Sequence, residues 1–221
     1  MSYVDRADAG RRIAPAVADA ISKRGFQGNP PLVLGVPRGG MVVAVPIARE
    51  LSGELDLALA RKISAPHNRE LAIGAVGEGG APVFDERLID RLGVDHSYLE
   101  SATQTARHEL ERRAVHYRGD RPAPSASGRV VVVVDDGIAT GATLRVTLDT
   151  ICGQEPELLI CAVPVGPPES ARRIAGVVDE LVCPLQPRWF RAVGEWYESF
   201  EQTTDAEVVA ILDAERKRSG G

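Results

Sequence analysis

Several residue types that mark large protein classes are scarce in this sequence. Its 221 residues include three cysteines, Cys152, Cys161 and Cys183, and these have neither the even number of a disulfide framework nor a Cys-x-x-Cys spacing typical of zinc sites. No apolar run approaches the ~20 residues of a membrane-spanning helix, and the first residues lack the pattern of a secretory signal. We therefore expect a cytoplasmic protein with three reduced core thiols and no membrane partner.

Lysine is also rare, and the chain carries a formal net charge of −5. Its 26 basic residues include only three lysines, Lys23, Lys62 and Lys217, and the rest are arginines. An acidic balance argues against a nucleic-acid partner but allows a small anionic ligand in a local pocket. The arginine excess fits either a GC-rich genome or phosphate recognition by guanidinium groups, and composition does not separate the two.

Motifs of several common enzyme classes are missing. The sequence contains no P-loop, no dinucleotide-binding glycine pattern, no Gly-x-Ser-x-Gly elbow and no His-Glu-x-x-His zinc helix. Strand-like apolar runs alternate instead with amphipathic segments, which predicts an α/β fold with a mostly parallel twisted sheet flanked by helices. The predicted strands are 32–36, 55–63, 71–76, 129–134, 157–163 and 178–183. The predicted helices are 5–24, 41–51, 95–118, 142–151 and 168–175, with one more after a capping box at 204–207.

The strongest functional signal follows the run Val130–Val134. This strand, apolar enough to be buried on both faces, delivers Asp135 and Asp136 to a sheet edge, and a turn with Thr140 and Thr143 then opens a helix. Backbone N–H groups at a helix start suit a phosphate, and adjacent carboxylates suit the vicinal hydroxyls of a ribose. Helix capping would explain one of these polar residues but not all four together, so we favour a sugar-phosphate site.

This segment resembles the phosphoribosyl pyrophosphate (PRPP) signature of type I phosphoribosyltransferases, in which an apolar strand, two acidic residues and a Thr-Gly-x-Thr loop follow in that order. The resemblance implies a core over residues 1–183 and a small C-terminal hood over 184–221. It also implies that Asp135 and Asp136 hold the ribose hydroxyls directly or through Mg²⁺-bound water. The residues implied to bind the 5′-phosphate are Ala139, Thr140, Gly141, Ala142 and Thr143.

Two further segments fit the same family. Val36–Gly40 is similar to its pyrophosphate loop, where Gly39 and Gly40 allow close approach of an anion and Arg38 offers a bidentate contact. Residues 61–70 resemble its mobile loop, with Arg61 and Lys62 as the catalytic cations that stabilise the leaving pyrophosphate. His67 and Arg69 are weaker candidates, because charged surface loops are common.

The acceptor is less well marked. Members of the family that salvage hypoxanthine and guanine carry an Asp where this chain has Ala139, so 6-oxopurine salvage is doubtful and the motif is nearer to adenine and orotate members. Trp189 and Phe190 follow the last predicted strand and could stack on a base, or could equally attach the C-terminal segment to the sheet. For the aromatics 196, 197 and 200 we favour the attachment role.

The resemblance, which extends through 187–197 and is strongest to small bacterial phosphoribosyltransferases with no assigned base, implies an enzyme and a reaction. The implied reaction is Mg²⁺-dependent transfer of the 5-phosphoribosyl group from PRPP to a nitrogen nucleophile such as a nucleobase, with release of pyrophosphate, by a homodimer. The alternative is a regulator on the same fold that binds PRPP or a nucleotide without turnover.

Overall fold

The computed structural model describes residues 2–26 and 29–219, without the side chains of residues 69, 70 and 219. Eight strands and seven α-helices are described, together with one 3₁₀ turn at Val193–Trp196. The strands are β1 (Leu32–Gly35), β2 (Glu54–Leu57), β3 (Ala60–Ala65), β4 (Asn68–Gly77), β5 (Val83–Phe84), β6 (Val130–Val134), β7 (Leu158–Ala162) and β8 (Glu180–Val182). The helices are α1 (Arg6–Lys23), α2 (Gly39–Glu50), α3 (Glu86–Leu92), α4 (His96–Arg118), α5 (Ala142–Cys152), α6 (Pro168–Ala175) and α7 (Asp205–Ser219).

The main sheet has five parallel strands in the order β2-β1-β6-β7-β8, which confirms the predicted fold class. The chain leaves β1 toward β2 on one side, and leaves β6 toward β7 on the other. The order therefore reverses between β1 and β6, and ligands of such sheets bind beyond the carboxyl ends of the strands at this point.

Both faces of the sheet are covered, which explains why β6 is apolar throughout. Val130, Val132 and Val134 of β6 pack in the core formed with α1 and α2, whereas Val131 and Val133 pack against α5 and α6 on the opposite face. A strand buried on both faces cannot alternate apolar and polar residues, so its sequence reads as a continuous apolar run.

The predicted strand over 55–63 is wrong, because this stretch contributes to two different sheets. β2 ends at Leu57, and β3 then pairs with β4 in a separate antiparallel sheet with β5. The segment 61–70, predicted as a loop, consequently lies in a β-hairpin that turns at Pro66 and His67. The apolar residues 57–60 span the change of sheet and conceal it, and only the buried positions Ile63 and Ala65 keep an apolar alternation in β3.

Two smaller expectations also need correction. Cys161 and Cys183 are buried, but Cys152 is exposed at the end of α5 and is not a core thiol. β5 and α3, which together contribute only nine residues, are not predicted by the sequence pattern.

A buried ion cluster joins the hairpin to the main sheet. Arg118, the last residue of α4, is 1% exposed and donates to Asp56 Oδ1 at 2.6 Å, to Glu78 Oε1 at 2.6 Å and to the carbonyl of Leu57 at 2.8 Å. Burial raises the pKa of Glu78, while the hydrogen bond from Arg118 opposes that rise. The guanidinium of Arg118 thus pairs with both Asp56 and Glu78, and Arg216 Nη2 lies 3.5 Å from the second carboxylate oxygen of Asp56.

Replacing Arg118 by Met is expected to lower the free energy of unfolding by about 3–5 kcal/mol, because buried carboxylates lose their partner. Arg145→Met is the matched control, since Arg145 pairs with Asp149 at 2.8 Å on the exposed surface of α5 and should cost less than about 1 kcal/mol. Urea unfolding followed by circular dichroism measures both values. Equal losses in the two variants would contradict a stabilising role for the buried cluster.

Candidate functional site

Two loops predicted from the sequence, the glycine loop 36–40 and the loop 135–143 that begins with the acidic pair, lie side by side at the carboxyl edge of the sheet. β1 and β6 are hydrogen-bonded neighbours, and Gly35 is in register with Val134. The N–H of Val36 donates to the carbonyl of Val134 at 2.8 Å, so the pairing continues into the loops. Segments far apart in sequence therefore meet at the point where the strand order reverses.

Asp135 and Asp136 lie half-buried at this edge and have different surroundings. Asp135 Oδ1 accepts a hydrogen bond from the N–H of Asp136 at 2.8 Å. Burial raises the pKa of Asp135 well above its usual value, and the neighbouring Asp136 carboxylate adds to the rise. Burial also raises the pKa of Asp136, but the guanidinium of Arg6 opposes this. The site thus holds two close carboxylates, of which one has an arginine partner.

Two further residues contact the acidic pair. Arg6 was not predicted from the sequence, and Tyr197 was predicted only to attach the C-terminal segment. Arg6 Nε donates to Asp136 Oδ2 at 2.8 Å, and the Tyr197 hydroxyl donates to the carbonyl of Asp136 at 2.5 Å. Arg6 is one of many arginines on amphipathic helices, and no local signal distinguishes it. For Tyr197 the expected attachment role is confirmed, because its hydroxyl binds the backbone carbonyl of Asp136.

The predicted phosphate loop lies between β6 and α5. Gly141 adopts a left-handed conformation with φ of 78° and is the N-cap of α5, and the Thr140 hydroxyl accepts the N–H of Ala142 at 3.4 Å. Capping therefore does not account for Asp135 and Asp136. Thr140 and Thr143 are exposed beside the first turn of α5, whose leading N–H groups have no partner within the helix. The arrangement offers backbone and hydroxyl donors to an anion.

The carbonyl at the start of this loop is held by a neighbouring helix. Ser170 of α6, 3% exposed, donates its hydroxyl to the carbonyl of Ala139 at 2.9 Å. This bond fixes the loop against α6. The serine was not predicted, because no motif in the sequence connects it to position 139.

The predicted pyrophosphate loop is packed tightly against the acidic pair. A side chain at Gly40 would place its Cβ 2.5 Å from the carbonyl oxygen of Val134, and one at Gly39 would overlap Asp136 Oδ2. Arg38 is half-buried at the N-terminus of α2, where its side chain makes no capping bond, and the Pro37–Arg38 peptide bond is cis. The two carboxylates therefore lie beside two helix N-termini, that of α5 and that of α2.

The predicted catalytic cations lie on β3 of the hairpin. Arg61 is 45% exposed and forms an ion pair with Glu109 of α4, and Lys62 is exposed. The hairpin is also attached to α4 by the Tyr98 hydroxyl, which donates to the carbonyl of Ser64 at 2.9 Å. His67 is exposed in the turn, whereas the side chain of Arg69 lies outside the described residues.

Residues 193–204, which we call the C-terminal strap, cross the same edge. Tyr3 forms a parallel bridge with Tyr197, and the N–H of Tyr3 donates to the carbonyl of Trp196 at 2.8 Å. A side chain at Gly137 would meet Val193 Cγ1 at 2.6 Å, so the smallness of this residue is required by the strap.

The two aromatics proposed for base stacking differ in exposure. Phe190 is partly buried against the cluster that contains Tyr3 and Tyr197, which favours an attachment role for this ring. Trp189 is 92% exposed, so its indole face is available to a ligand in the described structure.

Comparison with protein families shows which family the chain belongs to. The family of the phosphoribosyl transferase domain matches residues 4–198, which include both loops and the hairpin and end within the strap. The chain belongs to this family. The two loops at the carboxyl edge of the sheet lie within the matched residues.

Individual relatives agree with the assignment. Two strains of Mycobacterium tuberculosis have a protein named "Putative phosphoribosyl transferase" that is 40% identical over 211 residues, or 96% of this chain. The chain spans 46% of the length of those relatives. The crystal structure of TT1426 from Thermus thermophilus is 43% identical, with a TM-score of 0.84 over 96% of this chain and 98% of that one.

A more distant structure shares the fold alone. The AQ2163 protein from Aquifex aeolicus is 12% identical, with a TM-score of 0.51 over 86% of this chain and 78% of that one. In the described part of this chain, no helix has the length and apolar character needed to cross a membrane.

Proposed function

We propose that this protein transfers the 5-phosphoribosyl group of PRPP to a nitrogen nucleophile, with a nucleobase as the favoured acceptor, and releases pyrophosphate. The observation that carries the proposal is the convergence of the Asp135–Asp136 pair with two helix N-termini at the strand-order reversal. Carboxylates suit the hydroxyls of the sugar, and the flanking helix starts suit its phosphates at both ends.

Each part of PRPP has a proposed position. The ribose 2′- and 3′-hydroxyls bind Asp135 and Asp136, and the 5′-phosphate binds the loop 139–143 at the start of α5. The pyrophosphate binds at Arg38, Gly39 and Gly40. Because β1 and β6 are adjacent, these three subsites form one continuous surface along the edge. Binding along it would orient the scissile bond toward an acceptor under the hood, which lowers the barrier by positioning.

The acidic pair also fits a Mg²⁺ ion. Magnesium in proteins commonly binds one or two carboxylates together with substrate phosphates and waters. Asp136 Oδ2 is engaged by Arg6, so we propose Asp135 as the nearer ligand, directly or through water. Among the described residues no group of three or more potential ligands is present, which suits an ion shared with the diphosphate. When bound, the ion would supply positive charge to the leaving diphosphate.

Arg61 and Lys62 are proposed to supply further positive charge as pyrophosphate leaves. In the described structure Arg61 is held at Glu109 of α4, and a partly exposed pair of this kind contributes only about 0–1 kcal/mol. Release of Arg61 from that pair would therefore cost little. We propose that the β3–β4 hairpin moves toward the diphosphate when PRPP is bound and excludes water from the reacting centre.

Measurement of pyrophosphate release tests the proposed reaction. The protein is incubated with PRPP, Mg²⁺ and each of a panel of nucleobases, among them adenine, orotate, hypoxanthine and guanine. We expect turnover with an acceptor other than the two 6-oxopurines, because position 139 is alanine. Saturable PRPP binding without turnover for any acceptor would contradict the transferase proposal and favour the regulator.

Trp189 is proposed to stack on the acceptor base. Trp189→Ala is expected to raise the KM for the acceptor at least about fivefold, since stacking of a base on an aromatic contributes about 1–3 kcal/mol. The Kd of PRPP should not change, and Trp189→Phe should retain most of the acceptor affinity because a ring face remains. Steady-state kinetics and calorimetry measure the two constants, and an unchanged acceptor KM in Trp189→Ala would exclude the stacking role.

A further inference from the structure

Arg6 connects three separate parts of the chain at the acidic pair. Its Nε donates to Asp136 Oδ2 at 2.8 Å, and its Nη1 donates to the carbonyl of Glu201 in the strap at 2.6 Å. The guanidinium also lies 3.8 Å above the centroid of the Phe200 ring. The side chain is only 11% exposed, so it is enclosed by these contacts.

The position of Arg6 is set by the start of α1. Asp5 is the N-cap, and its side chain accepts the N–H of Asp8 at 2.6 Å. The N–H groups of Glu198 and Ser199 donate to the carbonyls of Tyr3 and Val4 at 2.8 and 2.9 Å, which fixes the preceding residues to the strap. Arg6, the first residue of α1, therefore extends to the acidic pair from a backbone that is fixed by the strap before it and by the N-cap bond of Asp5 after it.

Asp136 is confined between Arg6 and the pyrophosphate loop. The missing side chain of Gly39 leaves the space in which Asp136 Oδ2 and Arg6 Nε lie, the latter 2.8 Å from where a Cβ would stand. The carbonyl of Asp136 is held at the same time by the Tyr197 hydroxyl. Backbone and carboxylate of this residue are thus both oriented by contacts from outside the β6–α5 segment.

The two carboxylates are consequently unequal. Asp135 accepts a hydrogen bond from the backbone of the next residue, whereas Asp136 forms an ion pair with a mostly buried arginine. Such a guanidinium compensates charge that would otherwise disfavour two adjacent half-buried carboxylates. Because Nε and Nη1 of one rigid plane bind two different segments, the arginine also fixes the strap relative to Asp136.

We propose that Arg6 is a positioning residue of the phosphoribosyl site, which orients Asp136 for the ribose and holds the strap over the edge. The inference rests on the proposed function, because the orientation of Asp136 matters only if a ribose binds there. Arg6 itself acts through Asp136 and contacts no part of PRPP in this scheme.

The test compares Arg6→Met with a matched control on the same helix. Arg12 also lies over a ring, 4.7 Å from the centroid of Tyr3, and lies 3.5 Å from Asp8, but it is more than one turn farther along α1. Calorimetric titration with PRPP and Mg²⁺ is expected to show at least tenfold weaker binding for Arg6→Met and less than a twofold change for Arg12→Met. Arg6→Lys, which retains the charge near Asp136, should recover part of the lost affinity.

A second titration distinguishes a specific effect on Asp136 from a general disruption of the ligand-binding loops. Pyrophosphate with Mg²⁺ lacks the ribose, so its Kd should change less than twofold in Arg6→Met. Equal weakening of PRPP and pyrophosphate would overturn the positioning role, as would PRPP binding in Arg6→Met that equals the wild type. If Arg6→Met does not fold, Arg6→Lys and Arg6→Gln carry the comparison, with weaker PRPP binding expected for Arg6→Gln.

The outcomes for this inference and for the proposed function are distinct. Wild-type protein that fails to bind PRPP with Mg²⁺ would overturn the proposed function, and the inference with it. Wild-type protein that binds PRPP while every Arg6 variant binds it equally well would overturn the inference alone.

Discussion

Replacement of both Asp135 and Asp136 by Asn is expected to weaken Mg²⁺-dependent PRPP binding by more than about 100-fold. Hydrogen bonds to a charged group contribute about 1.5–3 kcal/mol each, and tenfold in affinity corresponds to about 1.4 kcal/mol. Asparagine retains the size of the side chain but removes the negative charge. That charge would attract the ion and strengthen the hydrogen bonds accepted from the two ribose hydroxyls. Calorimetric titration of PRPP in the presence and absence of Mg²⁺ measures the loss.

The single variants and a control make this experiment specific. Asp149→Asn removes a carboxylate from the exposed face of α5, where it pairs with Arg145, and should leave the Kd unchanged. We expect the metal dependence of binding to fall most in Asp135→Asn, because Asp136 is already engaged by Arg6. Unchanged PRPP affinity in the double variant would refute the assignment of the ribose site.

Gly39→Ala is expected to have the second-largest effect, on both binding and stability. The added methyl group would overlap Asp136 Oδ2 and stand 2.8 Å from Arg6 Nε, so the ion pair must shift. Overpacking of this kind costs about 1–3 kcal/mol of folding free energy. We expect PRPP binding to weaken at least tenfold, because the added methyl group displaces both the proposed pyrophosphate loop and Asp136, the proposed ribose ligand.

The control and the cause of this effect can both be tested. At Gly80 the nearest heavy atoms would be 4.0 Å from an added Cβ, so Gly80→Ala should change the free energy of unfolding by less than about 0.5 kcal/mol. If the contact with Asp136 is responsible, Gly39→Ala should cost less in an Asp136→Ala background than in the wild type. Equal costs in the two backgrounds, from urea unfolding, would show that another contact is limiting.

Much of the fold and the centre of the candidate site could be predicted from local sequence. The run Val130–Val134 has to be buried on both faces, and that requirement alone indicates a parallel sheet covered by helices. The order of strand, acidic pair and small-residue loop is contiguous, so its resemblance to the family signature does not depend on tertiary contacts. The capping box at Thr204 and Glu207 is confirmed for the same reason, with Glu207 accepting the N–H of Thr204 at 2.6 Å.

The errors arose where neighbouring residues in sequence belong to different sheets. The stretch 55–63 has the composition of one strand, but pairing with β1 ends at Leu57 and pairing with β4 begins at Ala60. Which edge a strand pairs with depends on partners distant in sequence, and an apolar run carries no record of them. The hairpin in place of the predicted loop follows from the same change of partner.

The sequence by itself determined the chemistry available at the edge: two carboxylates, a helix start with small and hydroxyl residues, and a glycine loop, each within one short segment. Only the tertiary structure decided which groups meet. It brings Arg6 and the strap to Asp136 but places Arg61 against Glu109, and nothing local distinguishes these two arginines. The physical reason is that a side chain's partner is set by the packing of whole elements, whereas a motif reports only the residues beside it.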